Sequence, residues 1–131
     1  MTYLLDVNAL IALGVRDHVF YDRVSAWVES LASDSLATCS ITELGFVRVL
    51  SQAPAYGLSV VQARSFLERM KKAPGIRFGF IADTHDASHL PAWVKAPKQI
   101  TDGHLSRLAA ANGAVLATLD ENIGESYLIP R

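Results

Sequence analysis

Hydrophobic residues along the chain recur in two alternating patterns, and the alternation predicts strands separated by helices. Short unbroken apolar runs predict five strands, over residues 3–5, 36–39, 76–81, 114–118 and 127–129. Between them, apolar residues spaced by three and four predict helices over residues 8–13, 18–31, 40–52, 59–73, 85–94 and 101–111. Strand alternating with helix predicts an α/β fold with a parallel sheet that is covered on both faces.

Polar residues and glycines mark the expected helix ends. Ser59 is placed to cap the helix that follows it, and Pro74-Gly75 ends that helix. Asn112-Gly113 matches the left-handed residue that commonly closes a helix. Pro91 stands inside the segment 85–94, so the length of that helix stays open.

Length and composition indicate one globular domain spanning residues 1–131. Half of the residues are hydrophobic, which is typical of strands buried on both faces and leaves apolar surface for a subunit interface. The single cysteine, Cys39, forms no internal disulfide and lies in an apolar run, so we expect a buried side chain. Without a signal-like N-terminus or a membrane-length apolar run, we expect a cytoplasmic protein.

The net charge of −1 carries no global mark of nucleic-acid binding, but the charges are unevenly placed. Residues 1–50 hold six acidic and three basic residues, whereas residues 64–98 hold seven basic and three acidic ones. The acidic part is suited to a cation and the basic part to phosphates. The basic cluster of Arg69, Lys71 and Lys72 equally fits a solvated helix end beside its negative dipole pole.

Four acidic residues stand where a parallel sheet would form a binding site. Asp6 and Asp120 follow the first and fourth predicted strands, and Glu43 and Asp102 lie in the first turns of two predicted helices. Ligands of such folds bind at the carboxyl ends of the strands. We therefore expect Asp6, Glu43, Asp102 and Asp120 to converge there.

Carboxylates packed together repel one another and resist burial, and a divalent cation removes both costs. All-oxygen ligands select Mg²⁺, with Mn²⁺ as a substitute, and such sites commonly act on phosphates. Metal-activated water attacking a phosphodiester is the chemistry that this acidic set predicts.

Three of the four acids also have a purely structural interpretation. Ser40-Ile41-Thr42-Glu43 and Thr118-Leu119-Asp120-Glu121 both match the capping-box pattern, in which the acid stabilises a helix start. Asp102 is suited to complement a helix dipole. Asp6 is harder to explain in this way, because it sits between apolar residues, where an unpaired carboxylate is costly.

These segments resemble the PIN-domain family, in particular its VapC-type toxin ribonucleases. Leu4-Leu5-Asp6-Val7-Asn8 resembles the opening strand with its first acid, and Ser40-Ile41-Thr42-Glu43-Leu44 resembles the segment of the second acid. Thr101-Asp102-Gly103-His104-Leu105 and Leu116-Ala117-Thr118-Leu119-Asp120 resemble the segments of the third and fourth acids. The likeness covers nearly the whole chain and is weakest over residues 53–98.

The resemblance implies a PIN-like three-layer α/β/α sandwich with a central parallel β-sheet. It implies a Mg²⁺-dependent endoribonuclease, the toxin of a VapBC-type toxin–antitoxin module, that forms homodimers, cleaves RNA and is neutralised by a cognate antitoxin protein. Asp6, Glu43, Asp102 and Asp120 would be both the catalytic and the metal-binding residues, and Asn8 the polar residue that orders a ligand or water.

Other functional classes fit less well. A dehalogenase-like phosphatase needs a second aspartate where Asn8 stands, and a dinucleotide-binding domain needs glycines in the first turn. A receiver domain needs an acidic pair near the first strand, which is missing here. The remaining alternative is a non-catalytic PIN-like module that binds RNA or a protein.

A few further residues have a functional and a structural interpretation. His85 and His89 match the spacing of paired metal ligands but lack a third, and surface histidines are the simpler explanation. His104 and Arg48 are suited to contact a phosphate, or to lie packed or solvated. Trp93 is suited to stack on a base, or to cover the core.

Overall fold

The computed structural model describes all 131 residues and contains five strands, all of them parallel. The strands are β1 (Thr2–Leu5), β2 (Ser35–Cys39), β3 (Phe78–Ile81), β4 (Ala114–Thr118) and β5 (Ser126–Leu128). They lie in the order β3-β2-β1-β4-β5, so β1 is central, between β2 and β4. The predicted parallel sheet is confirmed.

Five α-helices cover the sheet: α1 (Val7–Gly14), α2 (Tyr21–Ser30), α3 (Ser40–Gln52), α4 (Val60–Lys71) and α5 (Ile100–Ala111). Ser59 caps α4 as predicted, and Gly113 closes α5 with a φ of 69°. None of these helices has the length and apolar character that crossing a bilayer requires.

Two hydrophobic cores, one on each face of the sheet, make the fold three layers deep. On one face, Leu5, Leu36 and Ala117 pack with residues of α1 to α4, including Phe46 and Leu67. On the other face, Leu4, Ala37 and Leu116 of the same strands pack with Leu105 and Leu108 of α5. Because successive strand residues point to opposite sides, both faces require apolar residues, which explains the unbroken apolar runs.

Two predicted helices differ from the structure. The segment 85–94 is wrong as a helix, since it forms only a 3-10 turn over Ala87–His89. Asp86 accepts a hydrogen bond from the Ser88 backbone N–H, which starts the short turn, and Pro91 prevents its continuation. The helix expected from residue 18 begins instead at Tyr21, because the backbone N–H of Phe20 donates to the His18 ring.

Trp27 and Cys39 are buried in the two cores, as the sequence indicates for Cys39. Trp93 is half-buried and lies against Gly124, where an added Cβ would come within 3.1 Å of the indole ring. Trp93 belongs to neither hydrophobic core nor to the residues packed against them, so both interpretations of Trp93 stay predictions.

Candidate active site

Asp6 is the buried acid at the centre of the sheet's carboxyl edge. It directly follows β1, its own backbone N–H donates to the Ala117 carbonyl, and its side chain is only 7% exposed. Asp6 is also the N-cap of α1, because its Oδ1 accepts from the Ala9 backbone N–H at 2.8 Å. The other carboxylate oxygen accepts from the Thr118 hydroxyl at 2.5 Å.

Two further acids act on Asp6 through their charges. Burial raises the pKa of Asp6, the bonds from Thr118 and Ala9 lower it, and the charges of Asp102 and Asp120 raise it again, so that the pKa lies above its ordinary value. Asp102, in the first turn of α5, has a pKa that is raised by burial and by the charge of Asp120. Asp6, Asp102 and Asp120 are therefore one electrostatically coupled group.

Asp120 lies in an exposed turn after β4. Its Oδ1 accepts from the Asn122 backbone N–H, and its own N–H donates to the Thr118 hydroxyl. No helix follows Thr118, so the capping-box interpretation of Asp120 is wrong. Asp6, Asn8 and Asp120 line a single cleft of about 450 Å³, together with residues of the loop between α1 and α2.

Glu43 lies in a different environment from the other three acids. It follows β2, in the first turn of α3, and its Oε2 accepts from the Thr38 hydroxyl and from the Lys71 ammonium, each at 2.5 Å. Thr42, and not Glu43, bonds the backbone N–H of Cys39 at the helix start, so the capping-box interpretation of Glu43 is wrong as well. Glu43 and Lys71 line a separate cleft between α3 and α4.

The expected convergence of four acids is thus only partly present. Asp102 and Asp120 raise the pKa of Asp6, whereas Glu43 is paired with Lys71 and lines another cleft. No set of three or more Asp, Glu, His or Cys side chains is arranged to hold a metal ion as the structure stands. The metal-binding and catalytic roles of Asp6, Glu43, Asp102 and Asp120 stay predictions.

The donor chemistry of the coupled acids nevertheless fits a hard divalent cation. Burial and neighbouring negative charge both raise the pKa of Asp6 and Asp102, which means that their ionised forms lack compensating charge. A cation would supply it, and oxygen ligands prefer Mg²⁺ or Mn²⁺ over zinc. Asp6, Asp102 and Asp120 are the residues that would hold it first, and Glu43 would have to leave Lys71 to join them.

Three residues important to the site were not foreseen from the sequence. Thr38 and Thr118 are fully buried, and each donates its hydroxyl to one of the acids. Both end the tripeptide Leu-Ala-Thr, in the two strands that flank β1. The sequence does contain a signal for the two threonines, because a polar residue occurs at the same place in two apolar strands. The third residue, Lys71, pairs with Glu43, and nothing in the sequence indicates that pairing.

The remaining polar residues that the sequence singled out lie as follows, and their contact with a phosphate stays a prediction. His104 Nε2 lies 2.6 Å from Asp83 Oδ2. The rings of His85 and His89 are stacked with centroids 4.1 Å apart, and no third ligand joins them. Arg48 is exposed.

Comparison with known proteins gives a consistent result. A family model described as PIN domain matches residues 3–126. Ribonuclease VapC44 of Mycobacterium tuberculosis is 40% identical, over 94% of this chain and 89% of that protein. Ribonuclease VapC38 of the same organism is 35% identical, over 92% of this chain and 86% of that protein.

Solved structures share the fold. The crystal structure of Mycobacterium tuberculosis VapC20, a sarcin-ricin loop cleaving toxin, has a TM-score of 0.66 at 14% identity, with 98% of this chain and 99% of that one covered. The structure of VapBC2 from Rickettsia felis, bound to a DNA fragment from its promoter, has a TM-score of 0.62 at 16% identity, with 98% and 97% covered. The expected three-layer fold and the resemblance stated from the sequence are confirmed.

Proposed function

Because the chain belongs to the PIN-domain family, we propose that it is a Mg²⁺-dependent endoribonuclease, the toxin of a VapBC-type toxin–antitoxin module. Relatives at 34–40% identity are named VapC ribonucleases and match over nearly their whole length. The non-catalytic alternative is not favoured, because nothing in these relatives' names points to a binding module.

One observation carries the proposal: a buried aspartate, at the carboxyl edge of a parallel sheet, whose pKa is raised by burial and by two further carboxylates. Leaving such a group uncompensated costs folding free energy. Asp6, Asp102 and Asp120, which we call the Asp6 cluster, are therefore suited to a cationic partner. Mg²⁺ is the cation that best matches all-oxygen ligands and a phosphate substrate.

The residues divide the work as follows. Asp6, Asp102 and Asp120 would hold the cation, and Glu43 would complete the set if it parted from Lys71. Thr118 fixes the Asp6 carboxylate by its hydrogen bond, and Asn8 lies in the same cleft, placed to orient water or the scissile phosphate. A bound Mg²⁺ supplies a more acidic water and neutralises charge on the attacked phosphate. With water as the nucleophile and the 3′ oxygen as the leaving group, the P–O3′ bond breaks and the product carries a 5′-phosphate.

The partners follow from the same family membership. We propose one domain over residues 1–131, assembly into a homodimer, and neutralisation by a cognate antitoxin protein. A gene for a small antitoxin-like protein beside this one, and a mass in solution of twice 14.2 kDa, are the expected findings.

Cleavage of total RNA tests the activity. We expect cleavage with Mg²⁺ or Mn²⁺, none with excess chelator, and none with the Asp6→Asn variant. End analysis should find 5′-phosphates. A 2′,3′-cyclic phosphate would contradict the mechanism, because it requires attack by the ribose hydroxyl. RNA binding that persists in chelator, with no cleavage under any condition, would instead support the non-catalytic module.

A further inference from the structure

The cleft that contains Asp6 has two chemically different sides. Asp6, Asn8 and Asp120 form the polar side. His18 and the apolar side chains of Val19 and Phe20, from the loop between α1 and α2, form the other side. A nucleotide has the same division, since its phosphate is charged and its base is flat and largely apolar.

We propose that Phe20 and its loop form a stacking platform for one nucleobase of single-stranded RNA at the mouth of the acidic cleft. The inference rests on the proposed function, because it places the base next to the phosphate that the acidic side would hold. It adds a specificity-determining residue outside the acidic set.

The exposure of the loop is the first support. Val19 is 83% exposed and Phe20 is 41% exposed, although both are large apolar residues. Neither belongs to the two hydrophobic cores or to the residues packed against them. Burial therefore does not explain their presence, and exposed aromatic residues beside a polar cleft are typical of single-strand binding sites.

The loop is also held in place, which a platform requires. The Phe20 backbone N–H donates to His18 Nδ1 at 3.0 Å, and the His18 and Phe20 ring centroids lie 6.0 Å apart. The Arg23 guanidinium lies 5.6 Å from the Phe20 centroid. Arg23 is fixed in turn by bonds to the carbonyls of Ile129 and Pro130. A pre-ordered ring loses little conformational entropy when a base binds.

Charge and size favour a base as the occupant. The acidic side would hold a phosphate through a bound cation, and the apolar residues Val19 and Phe20 beside it suit the uncharged part of the same nucleotide. A second copy of the chain would need ~800 Å² per partner for a stable interface, whereas the part of the loop that borders the acidic side offers His18, Val19 and Phe20. Base stacking on an aromatic ring needs only one side chain.

The test compares Phe20→Leu, which keeps apolar bulk but removes the aromatic face, with Phe20→Trp, which keeps it. Both changes are made in an Asp6→Asn parent, so that RNA stays intact; Asp102→Asn serves if that parent does not fold. The probes are a mixed-sequence 12-nucleotide RNA and a 12-unit abasic ribose-phosphate strand, both measured with Mg²⁺. Val61→Ala, which removes exposed apolar surface on α4 outside this cleft, is the control.

We expect Phe20→Leu to weaken binding of the RNA by about 5- to 100-fold, with little change for the abasic strand. Phe20→Trp should bind at least as tightly as the parent, and RNA should quench its fluorescence beyond the quenching of Trp27 and Trp93 in the parent. The Val61→Ala control should bind as the parent does.

Unchanged affinity in Phe20→Leu, or no added quenching in Phe20→Trp, would overturn the proposal. An affinity loss that tracks a shift of the monomer–dimer equilibrium in sedimentation would also overturn it and assign the loop to a second copy. Failure of the wild-type chain to cleave RNA would contradict only the proposed function, because the stacking platform is tested by RNA affinity and not by cleavage.

Discussion

Asp6 and Glu43 occupy similar places in the fold and are in opposite electrostatic states. Asp6 follows the central strand β1 and Glu43 follows its neighbour β2, and each accepts a hydrogen bond from the hydroxyl of a buried threonine that ends a Leu-Ala-Thr run. Around Asp6 the further charges are negative, from Asp102 and Asp120. Around Glu43 the nearest charge is the Lys71 ammonium.

The difference shows that the neighbours of a carboxylate decide what it is available for. The charges of Asp102 and Asp120 act on Asp6, so a divalent cation would stabilise its ionised form. Oε2 of Glu43 accepts from Thr38 and from the Lys71 ammonium, so a metal ion would have to displace that ammonium to bind the same oxygen.

Of the substitutions that test this difference, Asp6→Asn should have the largest effect on RNA cleavage. We expect RNA cleavage to fall by more than the roughly 10- to 100-fold that loss of an outer-shell partner costs. Folding should survive, because asparagine is also a good N-cap and can accept from Ala9. Cleavage assays with circular dichroism and thermal melting check both halves.

The pH dependence of stability gives the control for that variant. Because the folded-state pKa of Asp6 is raised, its contribution to stability is present below the unfolded-state pKa and is lost as pH rises through the raised folded value. Asp6→Asn should therefore be as stable as the wild type, or more stable, at pH 7 without metal. A variant that is inactive because it is unfolded would contradict this account.

Metal binding should follow the same titration. Mn²⁺ should stabilise the wild type by about 2.7 kcal/mol at 100 times its dissociation constant. The gain should shrink as pH falls through the raised pKa values of Asp6 and Asp102, because protons compete for the same oxygens. Melting temperatures across Mn²⁺ concentrations at pH 5 and pH 8 measure this, and an equal gain at both would count against the Asp6 cluster.

The sequence predicted those features of the fold that depend on local pattern. The apolar runs located β1, β2 and β4, and the bounds of α3 were predicted to the residue. The prediction of a helix over residues 85–94 was wrong because apolar residues spaced by three and four also occur in an irregular segment. This segment packs across the N-terminal end of α5. There, an added Cβ on Gly103 would come within 2.3 Å of Val94, so the connector is placed by tertiary contact with the helix.

The candidate site was predicted only as far as sheet topology determines it. The positions of the strand ends predicted that Asp6, Asp102 and Asp120 lie near one another. The charges of Asp102 and Asp120 raise the pKa of Asp6, and that of Asp120 raises the pKa of Asp102, which supports this placement. The state of Glu43 depends on Lys71, which lies 28 residues away at the end of α4. The Glu43–Lys71 ion pair depends on how α3 packs against α4, and no repeating pattern in the sequence predicts that packing.

Lys71→Gln tests whether Glu43 belongs with the Asp6 cluster. If it does, removing the competing ammonium should tighten Mn²⁺ binding severalfold, and a Glu43→Gln/Lys71→Gln double variant should lose that gain. Folding should weaken by about 1 kcal/mol or less, since both side chains are about a quarter exposed. Isothermal titration with Mn²⁺ decides the matter, with Lys72→Gln as the matched control. Unchanged Mn²⁺ affinity would separate Glu43 from the metal site.

Asp83→Asn should have the smallest effect and the opposite pH dependence from Asp6→Asn. Burial raises the pKa of Asp83, but the bonds from the His104 ring and the His85 backbone N–H lower it further, so the net pKa is depressed. Its contribution to stability is therefore present above the unfolded-state pKa and is lost as pH falls through the lowered folded value. Urea unfolding should show Asp83→Asn slightly less stable than the wild type at pH 6, and the difference should shrink as pH falls through the lowered pKa of Asp83. If the difference in free energy of unfolding instead grew towards low pH, the Asp83–His104 contact would not be an ion pair. Asp83 would then not be an acid whose charge is compensated, in contrast to Asp6.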